Sequence, residues 1–517
     1  MTVRRSSATT ALVALLVASL VSCSEERVQE GIEPASTVST TAPAITEPPA
    51  TTAPSSIVTT VAPTTSAATT TSAATTTTAA TTTTAATTTT AAATTTTAAA
   101  TTTTTATTTT AAATTTTTVP VGDPNTVVGR LGGVEWFMGQ LPVQARGADP
   151  DLDPVRVGLL NQEDSPAGSF PEARAAVEAA VRWVNEELGG VNGRPVELEV
   201  CVTDFTVERS QACAQQMVMA DVVAVTTGID VGSTGAIPIF EQNGIPVVGG
   251  IPTNMAEMES PSAFYFSGAM AGAYAGFIGH AIEHFGASRI VLAHGEFESF
   301  TVSTRDYGAA LAEALGLEVK LIPFPLFTFD FLPVLTKAAE FEPDAIVVAA
   351  ADLSCAPIMQ TMVDLGIEAQ LYLVGSCAAE EILEVAGSAA ETVLFNSESP
   401  LEATVDGAVY EEVVAQYASE PAGGVGTVSM RGFLNLYALL IELGPDAGSR
   451  EALLDLIRSA VDRPSFWGHP YTCDRQQVPG LPALCAPQQT IFSIVEGEVV
   501  PADDGWIDTP ALFAQLG

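Results

Sequence analysis

From about Val155 onward, short apolar runs alternate with longer stretches in which apolar positions recur every three or four residues. The runs at 155–160, 196–202, 222–227, 246–249, 290–293, 345–350, 371–374 and 392–395 are rich in Val, Ile, Leu and Ala and read as strands. Helix-length segments such as 171–188 and 301–315 separate most of them. This alternation predicts an α/β fold with parallel sheets covered by helices on both faces. In such sheets, ligands sit beyond the carboxyl ends of the strands, where loops converge. The stretch WVNEELGGVNGRPVELEVCVTD at 183–204 shows one such unit in full. A helix over 174–188 stops at Gly189 and Gly190, because glycine tolerates the left-handed turn that ends a helix. Asn192 and Gly193 turn the chain back into the strand at 196–202.

Upstream the pattern disappears. From about residue 36 to 117 the chain is almost wholly Thr and Ala, with too few large apolar residues to offset the entropy of ordering. A tether is expected over 24–124; as a coil of about a hundred residues it would span roughly 50 to 60 Å. Before it, Arg4 and Arg5, an apolar run at 11–18 and small residues ahead of Cys23 make a secretory signal over 1–23. Leu20-Val21-Ser22-Cys23 is similar to a bacterial lipobox, in which the cysteine is acylated. The apolar run is too short to span a bilayer, so the expected membrane contact is a lipid on Cys23.

Charge and cysteines narrow the class. Seven of the 59 acidic and five of the 19 basic residues lie before Asp149, leaving 52 acids against 14 bases beyond it. Such a surface repels phosphate backbones and anionic lipid heads, so no nucleic acid partner is expected. Six further cysteines stand at 201, 213, 355, 377, 473 and 485. In an exported chain, the parsimonious reading is three sequential disulfides: Cys201 with Cys213, Cys355 with Cys377, Cys473 with Cys485. Without any CxxC pair, a metal cluster of cysteines is disfavoured.

The segment VNEELGGVNGRPVELEVCVTD resembles a signature of type I periplasmic binding proteins, in particular the branched-chain amino acid (leucine) binding group of ABC transporters. Other landmarks follow in that family's order: VRVGLL at 155–160, IFEQNGIPVVGGIPTN at 239–254, GASRIVLAHGE at 286–296, FDFLPVLTKAAEFEPDAIVVAA at 329–350 and DDGWID at 503–508. The resemblance implies two Rossmann-like lobes joined by a three-crossing hinge and closing on a small molecule. After a short lead-in at 125–153, the domain would span 154–517. The first lobe would take 154–268 and 399–464, the second 269–398 and 465–517. Crossings are expected near Ser267, near 397–400, and near Arg463 and Pro464.

The same resemblance implies ligand contacts. Thr253 matches a threonine after the fourth strand, beside Asn254; Asp230 stands where a serine aligns after the third, with Ser233 one turn later. Ser233 equally suits a helix N-cap. Ser169 and Phe170 follow the first strand. In the second lobe Ser299 and Phe300 stand where the group places an aromatic, Ser376 and Cys377 where it places an acid, and Asp352 follows the strand at 345–350. The Cys355–Cys377 bridge is expected on the pocket rim. Strand-end loops carry Glu163, Asp164, Asp204, Asp230, Glu296 and Asp352 but no Arg or Lys, which points to a zwitterionic or cationic ligand, with Phe170, Phe297 and Phe300 walling an apolar part.

Catalytic readings fail on spacing. DVGSTG at 230–235 lacks the first glycine of a nucleophile elbow, and GGVGTV at 423–428 lacks the third glycine of a dinucleotide loop. HAIEH at 280–284 sets two imidazoles four apart but not in the zinc-protease order, and is read as an exposed helix face. No enzyme activity, cofactor or metal is expected. The expectation is a monomeric, exported, lipid-anchored solute-binding protein of an ABC importer, serving permease subunits by hinge closure. A tethered sensor or adhesion module on the same fold is the alternative.

Overall fold

A computed structural model describes residues 125–131, 146–163, 165, 168–419 and 422–517. Cys23, the Thr/Ala tract and Asp164 lie outside the described residues. Among the described residues, twelve strands form two sheets. The first sheet is wholly parallel, in the order β2-β1-β3-β4-β5, from β1 (Val155–Gln162), β2 (Val196–Thr203), β3 (Ala224–Thr227), β4 (Val247–Val248) and β5 (Ala263–Phe264). The second runs β12-β11-β10-β9-β8-β6-β7, from β6 (Arg289–Gly295), β7 (Glu318–Phe324), β8 (Ala345–Ala349), β9 (Gln370–Leu373), β10 (Val393–Ser397), β11 (Thr490–Val495) and β12 (Glu498–Pro501). Its first five strands are parallel; β11 and β12 form an antiparallel hairpin at the edge. Glu496 and Gly497 turn that hairpin with φ of 52° and 83°, the pair of positive values a two-residue turn needs to match strand twist.

Helix Pro171–Glu187 starts on a proline, whose missing N–H has no partner to lose in the first turn. It packs with helices Val405–Tyr417 and Val425–Glu442 over the first sheet, where Trp183, Val184, Phe433, Leu436 and Tyr437 share one buried core. Close approach there depends on glycine: a Cβ on Gly249 would stand 2.2 Å from the Gly432 Cα. The lead-in docks on the same lobe. Buried Glu187 accepts hydrogen bonds from the Val127 and Val128 amides at 2.9 and 3.0 Å, and from the Tyr417 hydroxyl at 2.7 Å.

Three segments connect the sheets. The chain leaves β5 through Tyr265 to Gly268 into helix Ala269–Phe285, and returns from β10 through Glu398 and Ser399 to helix Val405–Tyr417. The third crossing falls at about Pro487 to Gln489, later than Arg463 and Pro464. Residues 465–486 stay largely with the first lobe: the Tyr265 amide donates to the Ala483 carbonyl at 2.7 Å, and the Cys485 amide donates to the Tyr265 carbonyl at 2.8 Å. Phe466, Tyr471, Cys473 and Cys485 enter the first lobe's core, and the Cys473–Cys485 bridge folds the segment back on itself.

One buried ion pair touches all three crossings. Arg431, 1% exposed on helix Val425–Glu442, donates to the carbonyls of Phe266 (3.3 Å), Phe466 (3.2 Å) and Trp467 (2.8 Å) and to the Ser399 hydroxyl (2.6 Å). Its Nη1 lies 3.9 Å from Glu398. Glu398 Oε1 accepts from the Gly268 amide (2.7 Å), the Ser267 hydroxyl (2.9 Å) and Gln489 Nε2 (3.3 Å). Burial pushes Arg431 down to about 10 against the pull of Glu398, and raises Glu398 against the pull of Arg431.

Candidate functional site

The loops at the carboxyl ends of the first sheet are held by buried amides that extend β1. Asn161 Nδ2 donates to the Phe170 carbonyl at 2.7 Å and its Oδ1 accepts from the Ile229 amide at 3.3 Å. Gln162 donates to the Gly168 carbonyl at 2.9 Å and accepts from the Val231 amide at 3.3 Å. These two residues tie the loop after β1 to the loop after β3. Two fully buried amides ending an apolar strand are the sequence signal that would have found them.

On this frame the expected first-lobe residues come together, though most of their polar atoms are already occupied. Asp230 is buried and turns its Oδ2 to the Ser210 hydroxyl at 2.6 Å; Oδ1 accepts no hydrogen bond of ordinary length. Burial raises its carboxyl, opposed by the Ser210 and Thr203 hydroxyls. Asn254 caps helix Met255–Glu259 through a capping box with Glu257, and its Nδ2 donates to the Ser233 hydroxyl. Ser233 opens a 3-10 turn instead of capping it. Glu257 Oε2 accepts from the Thr253 and Asn254 amides at 2.7 and 3.2 Å, and Oε1 from Tyr265 at 3.2 Å. Burial pushes this carboxyl up to about 8, with Asp230 adding to the rise.

Thr253, half-buried, keeps an open face. Its hydroxyl is 3.2 Å from both the Asp230 carbonyl and Glu257 Oε2. With one proton and two lone pairs, it can donate to either and still accept from a ligand. Phe170 packs with Val231 and Ile251 on a small buried cluster of Ala173, Ile229 and Val425, giving an apolar patch beside Thr253. Ser169 is exposed.

In the second lobe, Ser376 donates to Asp352 Oδ1 at 2.7 Å, joining the loops after β8 and β9. Burial raises the Asp352 carboxyl, opposed by Ser376 and reinforced by Glu381. The Cys355–Cys377 bridge is not on the rim: both cysteines are at most 1% exposed and sit in the lobe's core beneath these loops. Ser299 is buried, whereas Phe297 and Phe300 stay partly exposed and meet edge to face, centroids 5.8 Å apart. The helix that carries Ser299 continues through a π-turn at Ser303–Ala309.

The acids divide into two kinds. Glu163 is held by Arg174 through two hydrogen bonds of 2.8 and 3.0 Å, so a base does reach the loop after β1, from the following helix. Asp204 accepts from Thr206 at the start of a helix and is held below its usual range by that hydroxyl and amide. Glu172, in the first turn of helix Pro171–Glu187, is different: its carboxyl is raised by burial and then by repulsion from Asp352 and Glu381 of the other lobe, and from Glu163. Among the described residues no Arg or Lys forms an ion pair with Glu172, Asp352 or Glu381.

Two lobes built on mostly parallel sheets and joined by three crossings define the architecture of a two-lobe binding protein. A family model described as periplasmic binding protein matches residues 154–470, and the chain belongs to that family. It is similar in fold to a leucine binding protein from Thermotoga maritima, at 20% identity, a TM-score of 0.57, and coverage of 68% of this chain and 98% of the other. A solute binding protein of an ABC transporter from Rhodopseudomonas palustris, solved with p-hydroxybenzoic acid, matches at 16% identity and a TM-score of 0.56, over 69% of this chain and 97% of that one. A branched-chain amino acid transporter substrate binding protein from Streptococcus pneumoniae, solved with isoleucine, matches at 18% identity and 0.53, over 67% and 98%. No curated protein matches the chain. All three expected disulfides are present. Among the described residues, no helix is long and apolar enough to cross a membrane.

Proposed function

We propose that this chain is the solute-binding component of an ABC importer, exported and held at the outer face of the membrane by a lipid on Cys23, and that it captures a small ligand with an ammonium group and an apolar portion. The observation that carries the ligand class is that Glu172 of the first lobe is repelled by Asp352 and Glu381 of the second, and that none of the three has a basic partner among the described residues. Closing the lobes without a cation brings these carboxylates closer and raises the energy of the closed state. An ammonium group between them reverses the sign of that interaction, so the ligand favours closure through its own differential affinity. Thr253 would accept from the same head group, while Phe170, Val231 and Ile251 on one side and Phe297 and Phe300 on the other would cover the apolar part. Permease subunits would then read the closed state.

The direct test is to denature the purified chain and identify the released small molecules by mass spectrometry. An amino acid, amide or amine supports the reading; a sugar or a dicarboxylate overturns the ligand class.

A further inference from the structure

We propose that His280, His284 and Asp503 bind a single transition-metal ion, with zinc the best fit, at the edge of the second lobe opposite its ligand loops. Helix Ala269–Phe285 feeds β6 at Arg289, so its last turn lies at the amino ends of the parallel strands, away from Asp352 and Ser376. The proposal is independent of the transport reading.

The sequence suggested an exposed pair of imidazoles; the fold buries one and brings an acid to both. His280 is 2% exposed, and its ring stacks on that of His284 with centroids 4.3 Å apart. Asp503, just beyond β12, completes the group, and one ligand atom from each of the three lies within 4.8 Å of the others. His284 Nε2 stands 3.5 Å from Asp503 Oδ1, and His280 Nε2 stands 3.3 Å from the Ala502 carbonyl oxygen. A charge-assisted hydrogen bond would close to about 2.7 to 2.9 Å. Two donors on one tetrahedral ion, each about 2.0 to 2.2 Å from it, stand about 3.4 Å apart. The His284–Asp503 spacing fits the second geometry, and the Ala502 carbonyl or a water would supply the fourth position.

The buried ring is also oriented as a ligand. His280 Nδ1 lies 2.9 Å from the Tyr372 hydroxyl. Without an ion, Nε2–H donates to the Ala502 carbonyl and Tyr372 can donate to Nδ1; ligation takes the other tautomer, in which Nδ1–H is donated to Tyr372 and the Nε2 lone pair is freed for the metal. Two imidazoles with one carboxylate favour a borderline ion over calcium or magnesium, which prefer all-oxygen sites. An ion here would pin the segment after β12, whose Ile507 and Leu512 lie over Gly279, to the helix.

The test is calorimetric titration of the chelator-treated full chain with zinc, in excess magnesium to occupy surface carboxylates, with cobalt absorption as a second readout. One ion per chain is expected, with a tetrahedral cobalt spectrum and a higher melting temperature in zinc. His284→Ala and Asp503→Ala, both at partly exposed positions, should each weaken zinc at least tenfold without unfolding the apo protein. No saturable binding in magnesium, an octahedral cobalt spectrum, or undiminished affinity in both variants would overturn the proposal.

Discussion

Glu257 is the residue at which pH should act on this fold. Its carboxyl titrates at about 8 in the folded protein against 4.5 ordinarily, because burial disfavours the charged form. Between those values the folded state keeps a proton that the unfolded chain has released, so this group's contribution to stability falls as pH rises, by roughly 1.4 kcal/mol per pH unit where the difference is a full proton. Glu257→Gln should therefore gain stability relative to the parent from pH 5 to pH 8, measured by chemical denaturation across that range. A pH-independent difference would show that Glu257 is ionised in the fold. Thr253→Ala should weaken ligand binding by about 1 to 3 kcal/mol, since its hydroxyl accepts from the proposed head group; an unchanged dissociation constant would remove Thr253 from the site. At this scale the sequence was only partly legible. Spacing and resemblance placed Asp230 and Ser233 after the third strand and Thr253 and Asn254 after the fourth, but they could not show that Asp230 turns to Ser210 or that Asn254 holds Ser233. Those partners lie about twenty residues away and are selected by packing. Glu172 was missed because it sits inside a helix whose pattern reads as an ordinary amphipathic one, and its repulsion by Asp352 and Glu381 exists only once both lobes are folded.

Among the elements, strands buried on both faces were the most legible, because a continuous apolar run leaves few alternatives. Four strands are missing from the sequence reading: β11, which is largely buried but was not singled out, and three with mixed exposure or minimal length. β7 alternates toward solvent and carries Lys320 and Pro323 at an edge, β12 is exposed throughout, and β5 has two residues. The hinge was legible as three crossings; the Arg431–Glu398 pair beneath them was not, because an arginine within a helix gives no local sign of complete burial. Removing one member of a buried pair leaves an uncompensated charge, a loss of about 3 to 5 kcal/mol, whereas replacing both with apolar residues is often nearly neutral. Glu398→Leu and Arg431→Met should each strongly destabilise the domain, and the double variant should recover much of the loss in denaturant melts. Additive losses would mean that the two residues act separately.

On the scale of the whole molecule, the proposed lipid on Cys23 would hold a two-lobe binding domain at the membrane. Cys23→Ala should abolish lipid labelling and release the protein into the medium; continued labelling would contradict the anchor. In the proposed trap, acids from both lobes would oppose closure until a cation lies between them. Calorimetry of the purified chain against amino acids and amines, with dicarboxylates and sugars as controls, tests this most directly, alongside Glu172→Gln. The expected result is saturable heat from a member of the first group only, with affinity reduced in the variant because one carboxylate facing the ammonium is gone. Saturable binding of a dicarboxylate or a sugar, with amino acids and amines silent, would contradict the account.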